Sequence, residues 1–142
     1  MANVAQLLEG KGKAVHTIAP DDSVFSALEQ MAEHNIGALP VVDKNKLVGL
    51  VSERDYARKV ILHGHTSRDL KVRDIMSLQV ICASPDDDVE HCMAVMTEKR
   101  VRHLPVIKKG KLVGLVSIGD LVKSIISEQQ FVIEQMTNYI AG

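Results

Sequence analysis

Two copies of a Ser-x-x-Asp pattern carry the side chains in this 142-residue chain that are best suited to binding a polar ligand. One copy holds Ser52 and Asp55, the other Ser117 and Asp120, and each follows a short apolar run that predicts a strand leading into a helix. An ionised carboxylate can accept hydrogen bonds from two neighbouring hydroxyl groups, and free amides at a helix start favour an anion. The spacing also matches a capping box, in which serine and acid satisfy backbone amides. Spacing alone favours capping.

The two copies lie 65 residues apart because the chain is a tandem duplication. At that offset, 19 of the 42 aligned pairs between residues 15–56 and 80–121 are identical by direct count. Leu39-Pro40-Val41 recurs as Leu104-Pro105-Val106, for example. One repeat of roughly 60 residues would bury too little surface to be stable alone. We therefore expect the halves to share a core and any site to exist in two related versions.

Hydrophobic periodicity predicts the order strand, helix, strand, strand, helix in each repeat, an α/β (α+β) fold class. In the first repeat the predicted segments are a strand over 15–18, an amphipathic helix from Val24, hairpin strands over 38–42 and 46–52, and a helix over 53–62. The strand over 46–52 is so apolar that we expect it to be buried on both faces. Residues 4–8 predict a short apolar turn followed by a hinge over 9–13, and residues 72–76 a short helical lead-in.

Composition argues against several classes of function. The 17 basic and 18 acidic residues leave no surplus for nucleic acid, and aromatic residues make up only 3%. The N-terminus lacks the basic start and apolar run that would predict a signal peptide. No apolar run approaches the roughly 20 residues that span a bilayer. Cys82 and Cys92 suggest reduced thiols in a cytoplasmic protein and are expected to be small buried side chains. A redox role for Cys82 is the alternative.

Acidic and histidine clusters offer a metal-site alternative. Asp86-Asp87-Asp88 precedes a predicted helix, as Asp21-Asp22-Ser23 does in the first repeat, and capping explains both. His63 and His65 lack a third ligand at suitable spacing for zinc. We expect no metal to be required.

The last helix carries a longer apolar face than the second repeat needs. We expect a partner chain to cover part of this stripe, which consists of Leu121, Val122, Ile125, Ile126, Val132, Ile133, Met136 and Ile140.

The paired Leu-Pro-Val before a hairpin, followed by Gly-x-Val-Ser-x-x-Asp, resembles the cystathionine-β-synthase (CBS) domain family in its tandem form, the Bateman module. Val72-Arg73-Asp74-Ile75-Met76 also matches that family's usual opening. The resemblance implies two βαββα repeats packed about a pseudo-two-fold axis, with two clefts between them and a long C-terminal helix. The predicted segments are a lead-in (1–14), repeat 1 (15–65), a linker with lead-in helix (66–79), repeat 2 (80–126) and a helical extension (127–142).

The same resemblance implies the residues of the two clefts, with Asp120 and Asp55 holding a ribose diol. The Asp120 cleft would take in His16, Thr17, Ile18, Ala19, Gly37, Ala38, Arg102, His103, Ser117 and Gly119. The Asp55 cleft would take in Ser52, Arg54, Ile81, Cys82, Ala83 and Ser84. Arg54 either clamps a phosphate or partly fills its pocket, and both Arg54 and Arg102 have the alternative of being solvated charges.

Family members usually regulate an effector protein and have no catalysis of their own. The resemblance therefore implies an adenine-nucleotide-binding, energy-sensing module, with AMP as the first candidate and ADP, ATP, NAD or S-adenosylmethionine as others. We expect a homodimer that acts in trans on an effector, without nucleic acid or membrane as partner. The alternative is a dimerisation scaffold with degenerate clefts. An enzyme is not expected, because no nucleophile with a partner base is visible.

Overall fold

The computed structural model describes residues 2–12 and 15–141, and it has the predicted fold class. The four strands form two small antiparallel sheets of two strands each, helices precede and follow each pair in the chain, and a long helix ends it. In order, the elements are α1 (Val4–Lys11), α2 (Val24–His34), β1 (Ala38–Asp43), β2 (Lys46–Ser52), α3 (Glu53–Lys59), a short 3-10 helix (Ile61–His63), α4 (Val72–Ile75), α5 (Val89–Lys99), β3 (His103–Lys108), β4 (Lys111–Ser117) and α6 (Ile118–Ala141).

The duplication is visible in the backbone hydrogen bonds. The amide of Ile18 donates to the carbonyl of Pro40 at 3.1 Å, and the amide of Ala83 donates to that of Pro105 at 2.8 Å. Each is the single bridging residue of its segment, pairing in parallel with the strand that comes next in the chain. The strand predicted over 15–18 is therefore wrong as a strand. One proline-containing strand offers it only an isolated bridge, because proline has no amide to continue a ladder.

The chain divides into two compact units whose membership crosses the repeat boundaries. The first takes in the described parts of Met1–Ala14 and Val113–Gly142 together with Cys82–Lys108. The second takes in Val15–Ile81 and Lys109–Leu112. Thus α1, which precedes repeat 1 in the chain, lies in the unit that contains most of repeat 2. Likewise α4, which precedes repeat 2, lies in the unit that contains repeat 1.

Equivalent hydrogen bonds connect each of the two lead-in helices to one repeat. The amide of Val4 in α1 donates to the carbonyl of Asp87 at 2.9 Å, while the amide of Val72 in α4 donates to that of Asp22 at 2.8 Å. Asp22 and Asp87 are equivalent positions of the repeats, so α1 serves the second repeat as α4 serves the first.

Glycines in β2 and β4 let these lead-in segments approach closely. A Cβ on Gly114 would lie 2.6 Å from a methyl carbon of Leu8, and one on Gly49 would lie 2.7 Å from the sulfur of Met76 and 3.0 Å from the carbonyl of Ser77. The repeated Gly therefore has a packing role that the sequence motif alone does not reveal.

Apolar side chains of the helices and hairpins form the cores. In the second unit the buried cluster is Ile18, Val24, Ala27, Met31, Leu39, Val41, Val51, Val60, Val72 and Ile75. In the first unit the buried apolar residues are Val4, Ala83, Val89, Cys92, Met96, Leu104, Val106, Val116 and Leu121. The predicted amphipathic stripes of α2 and α5 are confirmed, since both helices bury residues at i, i+3 and i+7. Across the described residues, no helix is long and apolar enough to cross a membrane.

Four local predictions need correction. The turn and hinge over 4–13 form a helix through Lys11, and the remainder of the hinge lies partly outside the described residues. The helix over 53–62 ends at Lys59, because the chain turns at Val60 into a 3-10 helix. β2 is buried only at Gly49 and Val51, so its apolar run is half-buried elsewhere. Cys82 is exposed, whereas Cys92 is buried as predicted.

Capping explains one of the acidic runs. The carboxylate of Asp88 accepts a hydrogen bond from the amide of His91 at 2.7 Å, which makes Asp88 the N-cap of α5. We expect Asp88→Ala to lower the free energy of unfolding by about 1 kcal/mol, the usual cost of a lost N-cap. Asp86→Ala removes the same charge from an exposed side chain and should change stability by less than about 0.5 kcal/mol. Urea denaturation of both variants would decide, and equal losses would contradict the capping role.

Candidate functional site

Asp120 lies in the first turn of α6, the helix that directly follows β4. One oxygen of its carboxylate, Oδ2, accepts a hydrogen bond from the amide of Ser117 at 2.9 Å. The amide of Asp120 donates in return to the hydroxyl oxygen of Ser117 at 3.1 Å. The reciprocal pair is a capping box, so the capping interpretation is confirmed at this position.

Lys11, at the end of α1, also binds this carboxylate. Its ammonium nitrogen lies 2.7 Å from Oδ2 of Asp120 and donates to the carbonyl of Leu115 at 2.8 Å. Among residues 2–12 and 15–141, no group donates to the other oxygen, Oδ1. The carboxylate is therefore fixed through Oδ2 and has acceptor capacity left on Oδ1.

Burial, hydrogen bonds and nearby charges shift the pKa values of Asp120 and His103. Burial by itself raises the pKa of Asp120, but the hydrogen bonds from Lys11 and Ser117 and the charge of Lys11 outweigh it, so the pKa lies below its usual value. His103 is half-buried, and burial lowers its pKa, assisted by the positive charges of Lys11 and Arg102 and opposed by Asp120. At neutral pH the group therefore combines an ionised Asp120 with a neutral His103 and two cations.

Two further predicted residues of this unit, Arg102 and Gly119, lie at the start of α6. Arg102 is exposed, and its carbonyl accepts a hydrogen bond from the amide of Ile118 at 2.9 Å. A Cβ on Gly119 would meet only the hydroxyl oxygen of Ser117, at an ordinary contact distance of 3.6 Å. Packing within the fold therefore does not require glycine at 119, which agrees with a role in leaving space at the helix start.

Asp55 is the equivalent residue in the second unit, and its surroundings differ. Its Oδ2 accepts from both the amide and the hydroxyl of Ser52, at 2.9 and 3.1 Å, and its own amide donates to that hydroxyl oxygen at 3.2 Å. Its Oδ1 faces the ammonium of Lys59 at 3.4 Å, one turn further along the same helix. Arg54 is exposed. The capping box is confirmed here as well, and both oxygens already have partners.

The residues of repeat 1 predicted for the Asp120 cleft occupy varied positions in the second unit. The rings of His16 and His34 stack with centroids 3.5 Å apart and planes 13° apart. Thr17 and Ala19 are exposed, whereas Ile18 and Ala38 are buried. The backbone groups of Ile18 are used by the strand containing Pro40, so Ile18 contributes to the core instead of offering free polar groups.

Two further segments complete the set of predicted residues. The carbonyl of Gly37 accepts from the amide of Glu53 at 3.1 Å. Ser84 donates its amide to the carboxylate of Asp87 at 2.9 Å, as Ala19 does to that of Asp22 at 3.1 Å, so equivalent turns follow the two predicted cleft segments. Whether the residues of the two units meet in one cleft stays a prediction, as does a contribution from Ile81 or Ala83.

Metal and thiol chemistry gain no support. Among the described residues, no group of three or more His, Cys, Asp or Glu side chains could hold a metal ion. Burial, with the negative charges of Asp87 and Asp88, raises the pKa of Cys92 to about 11, so this thiol stays protonated.

The sequence interpretation misses Lys11 altogether. The sequence places Lys11 only in a hinge, and its partner Asp120 lies 109 residues away. The one available signal is that Lys11 ends a lead-in segment. That position becomes informative only once the segment is known to pack with the second repeat.

Comparison with known proteins agrees with this architecture. The family model described as CBS domain matches residues 12–62 and 72–127. The chain is 37% identical over 148 residues to the mitochondrial CBS domain-containing protein CBSX3 of Arabidopsis thaliana, covering 98% of this chain and 72% of that protein.

Two solved structures are similar in fold over 90% of this chain. A CBS-domain protein from Burkholderia ambifaria MC40-6 is 48% identical, with a TM-score of 0.86 over 90% of this chain and 96% of that one. The CBS domain pair of protein MJ0100, in complex with 5′-methylthioadenosine and S-adenosyl-L-methionine, is 27% identical, with a TM-score of 0.79 over 90% of this chain and 98% of that one.

Proposed function

The chain belongs to the CBS domain family, with one CBS repeat in each half, and on that premise we propose that it binds an adenosine-containing ligand and regulates a partner protein. The single observation that carries the proposal is the MJ0100 domain pair, a similar fold that holds two adenosine compounds. Those two ligands share an adenosine and differ in the group attached to it. Recognition of the adenosine is therefore the part of the proposal that this relative supports most directly.

The geometry around Asp120 supports the same role for this chain. A ribose presents two neighbouring hydroxyl donors, and a carboxylate fixed by capping, with acceptor capacity on Oδ1, is suited to receive them. The proposed ligand-binding residues of the first unit are Asp120, Ser117, Gly119, Arg102 and His103, and further ones are proposed in the second unit. The latter are His16, Thr17, Ile18, Ala19, Gly37 and Ala38.

We propose a weaker site at Asp55 with Ser52 and Arg54, and Cys82 as a further ligand-binding residue. Oδ2 of Asp55 accepts two hydrogen bonds from Ser52 and its Oδ1 faces Lys59, so a diol must displace more there than at Asp120. Among the adenosine compounds, AMP is our first candidate for either site, with ADP, ATP, NAD and S-adenosylmethionine as the others.

Regulation requires that the ligand bind one arrangement of the protein better than another. We propose that the chain does this as a cytoplasmic homodimer and passes the change to an effector in trans. The exposed thiol of Cys82 suits a reducing compartment. The exposed apolar face of α6 supports a partner chain, because such faces on soluble proteins mark interaction sites.

Thermal denaturation with candidate ligands tests this function. A ligand present at 100 times its dissociation constant should stabilise the fold by about 2.7 kcal/mol, provided that it does not bind the unfolded chain. We expect such a shift with at least one of AMP, ADP, ATP, NAD and S-adenosylmethionine, and none with cytidine monophosphate at the same concentration. The absence of any shift would favour the alternative of a ligand-free dimerisation scaffold. Turnover of a bound nucleotide would instead indicate an enzyme.

A further inference from the structure

The contact between Lys11 and Asp120 bears on which adenosine compounds the site accepts. The ammonium of Lys11 uses Oδ2 of Asp120 at 2.7 Å and the carbonyl of Leu115 at 2.8 Å. Because Oδ2 also accepts from the amide of Ser117, it is the saturated oxygen of the pair. A diol that uses both carboxylate oxygens must therefore take the place of Lys11 on Oδ2.

Displacing an ammonium from a partly buried carboxylate has a cost, since the freed cation loses a charge-assisted hydrogen bond. Lys11 is about one third exposed, so water replaces only part of that interaction. A ligand with an anionic group can replace the remaining part of the interaction that Lys11 loses with the carboxylate of Asp120. An uncharged nucleoside cannot.

The local charge balance points in the same direction. The charges of Lys11, Arg102 and Asp120 all act on the pKa of His103, so each lies within electrostatic range of that side chain. With His103 neutral, the charges of Lys11 and Arg102 against that of Asp120 leave a surplus of one positive charge. That surplus suits a phosphate and gives no advantage to a neutral ligand.

Resting on the proposed function, we propose that Lys11 is the specificity residue of the Asp120 site. On ligand binding it moves from the carboxylate of Asp120 to the phosphate of the incoming nucleotide. The site thereby selects phosphorylated adenosines over uncharged ones. Lysine suits such an exchange, because its ammonium is a compact charge on a flexible stem.

The test compares AMP with adenosine in the full-length protein. Lys11→Met should lower the preference for AMP over adenosine by about tenfold or more, the typical worth of a hydrogen bond to a charged group. Adenosine binding should be unchanged or tighter, because its competitor for Asp120 is gone. Isothermal titration calorimetry on both ligands gives the ratio of dissociation constants directly. Lys123→Met is the matched control, since Lys123 is exposed one turn beyond Asp120 and should leave the ratio unchanged.

Several outcomes would overturn the inference. Equal weakening of both ligands by Lys11→Met would mean that Lys11 only anchors α1. Equal tightening would mean that it only competes for Asp120, and an equal change of the ratio in Lys123→Met would mean that general charge decides. Should Lys11→Met fail to fold, Lys11→Gln removes the charge while keeping a polar side chain. If the wild-type protein binds neither ligand, it is the proposed function that fails.

Discussion

Replacing Asp120 by asparagine is expected to weaken AMP binding by at least about 100-fold. Two hydrogen bonds from a ribose diol to a carboxylate are charge-assisted, and each contributes about 1.5–3 kcal/mol. The asparagine side chain keeps an oxygen that can accept from the amide of Ser117, so the cap on α6 survives while the charge is lost. Calorimetric titration of AMP into the wild-type protein and Asp120→Asn would measure the change.

Stability measurements separate this role from capping. Both variants remove the ion pair with Lys11, but only Asp120→Ala also removes the cap, so it should lose about 1 kcal/mol more in urea denaturation than Asp120→Asn. Asp55→Asn is the matched control, because it changes the same residue type in an equivalent capping box. We expect it to spare the tighter AMP site. Unchanged AMP affinity in Asp120→Asn would leave Asp120 a capping residue only.

The duplication made much of this fold predictable. Because each pattern occurs twice, a helix or hairpin inferred in one half is checked by the other. The amphipathic helix from Val24 and its counterpart from Val89 both form, and each is capped by the polar residue just before it, Ser23 or Asp88. Capping depends on local backbone geometry alone, which is why the Ser-x-x-Asp spacing was sufficient to predict it.

Contacts between distant segments were not predictable in the same way. Nothing local in α1 indicates that Val4 bonds to Asp87 or that Lys11 reaches Asp120. Likewise, the extended residues before Pro20 have strand propensity, but only Ile18 finds a bridging partner. Propensity describes a single segment, whereas a strand requires a neighbour with free amides.

The exposed part of α6 has the spacing of a coiled-coil seam. Six positions alternate by four and three residues along one side, and five are apolar: Val122, Ile126, Gln129, Ile133, Met136 and Ile140. Each of the five apolar side chains is exposed. Such a seam with a repeat of 3.5 residues is the pattern by which one helix packs along another of the same kind. It favours a second copy of this chain as the partner.

A groove beside the seam adds to the apolar surface that a second copy would cover. It has a volume of about 470 Å³ and lies between α5 and α6 in the first unit. Its lining residues are Glu90, Ile125, Glu128, Gln129, Val132 and Ile133. Gln129 and Ile133 belong to both the seam and the groove, and Ile133 is the apolar one of the two, so a substitution there should disturb the proposed dimer most.

We therefore expect Ile133→Glu to convert the proposed dimer into a monomer at micromolar concentration. Two-fold pairing would bury the new charge in both copies at once, and burying an unpaired carboxylate costs several kcal/mol. Sedimentation equilibrium would show the mass halve, while the unfolding of each chain should change little because Ile133 is 62% exposed. Phe131→Glu is the matched control, since Phe131 is 61% exposed but lies on the opposite side of α6, and the dimer should survive there. Dissociation by both variants, or by neither, would rule out the seam as the contact surface.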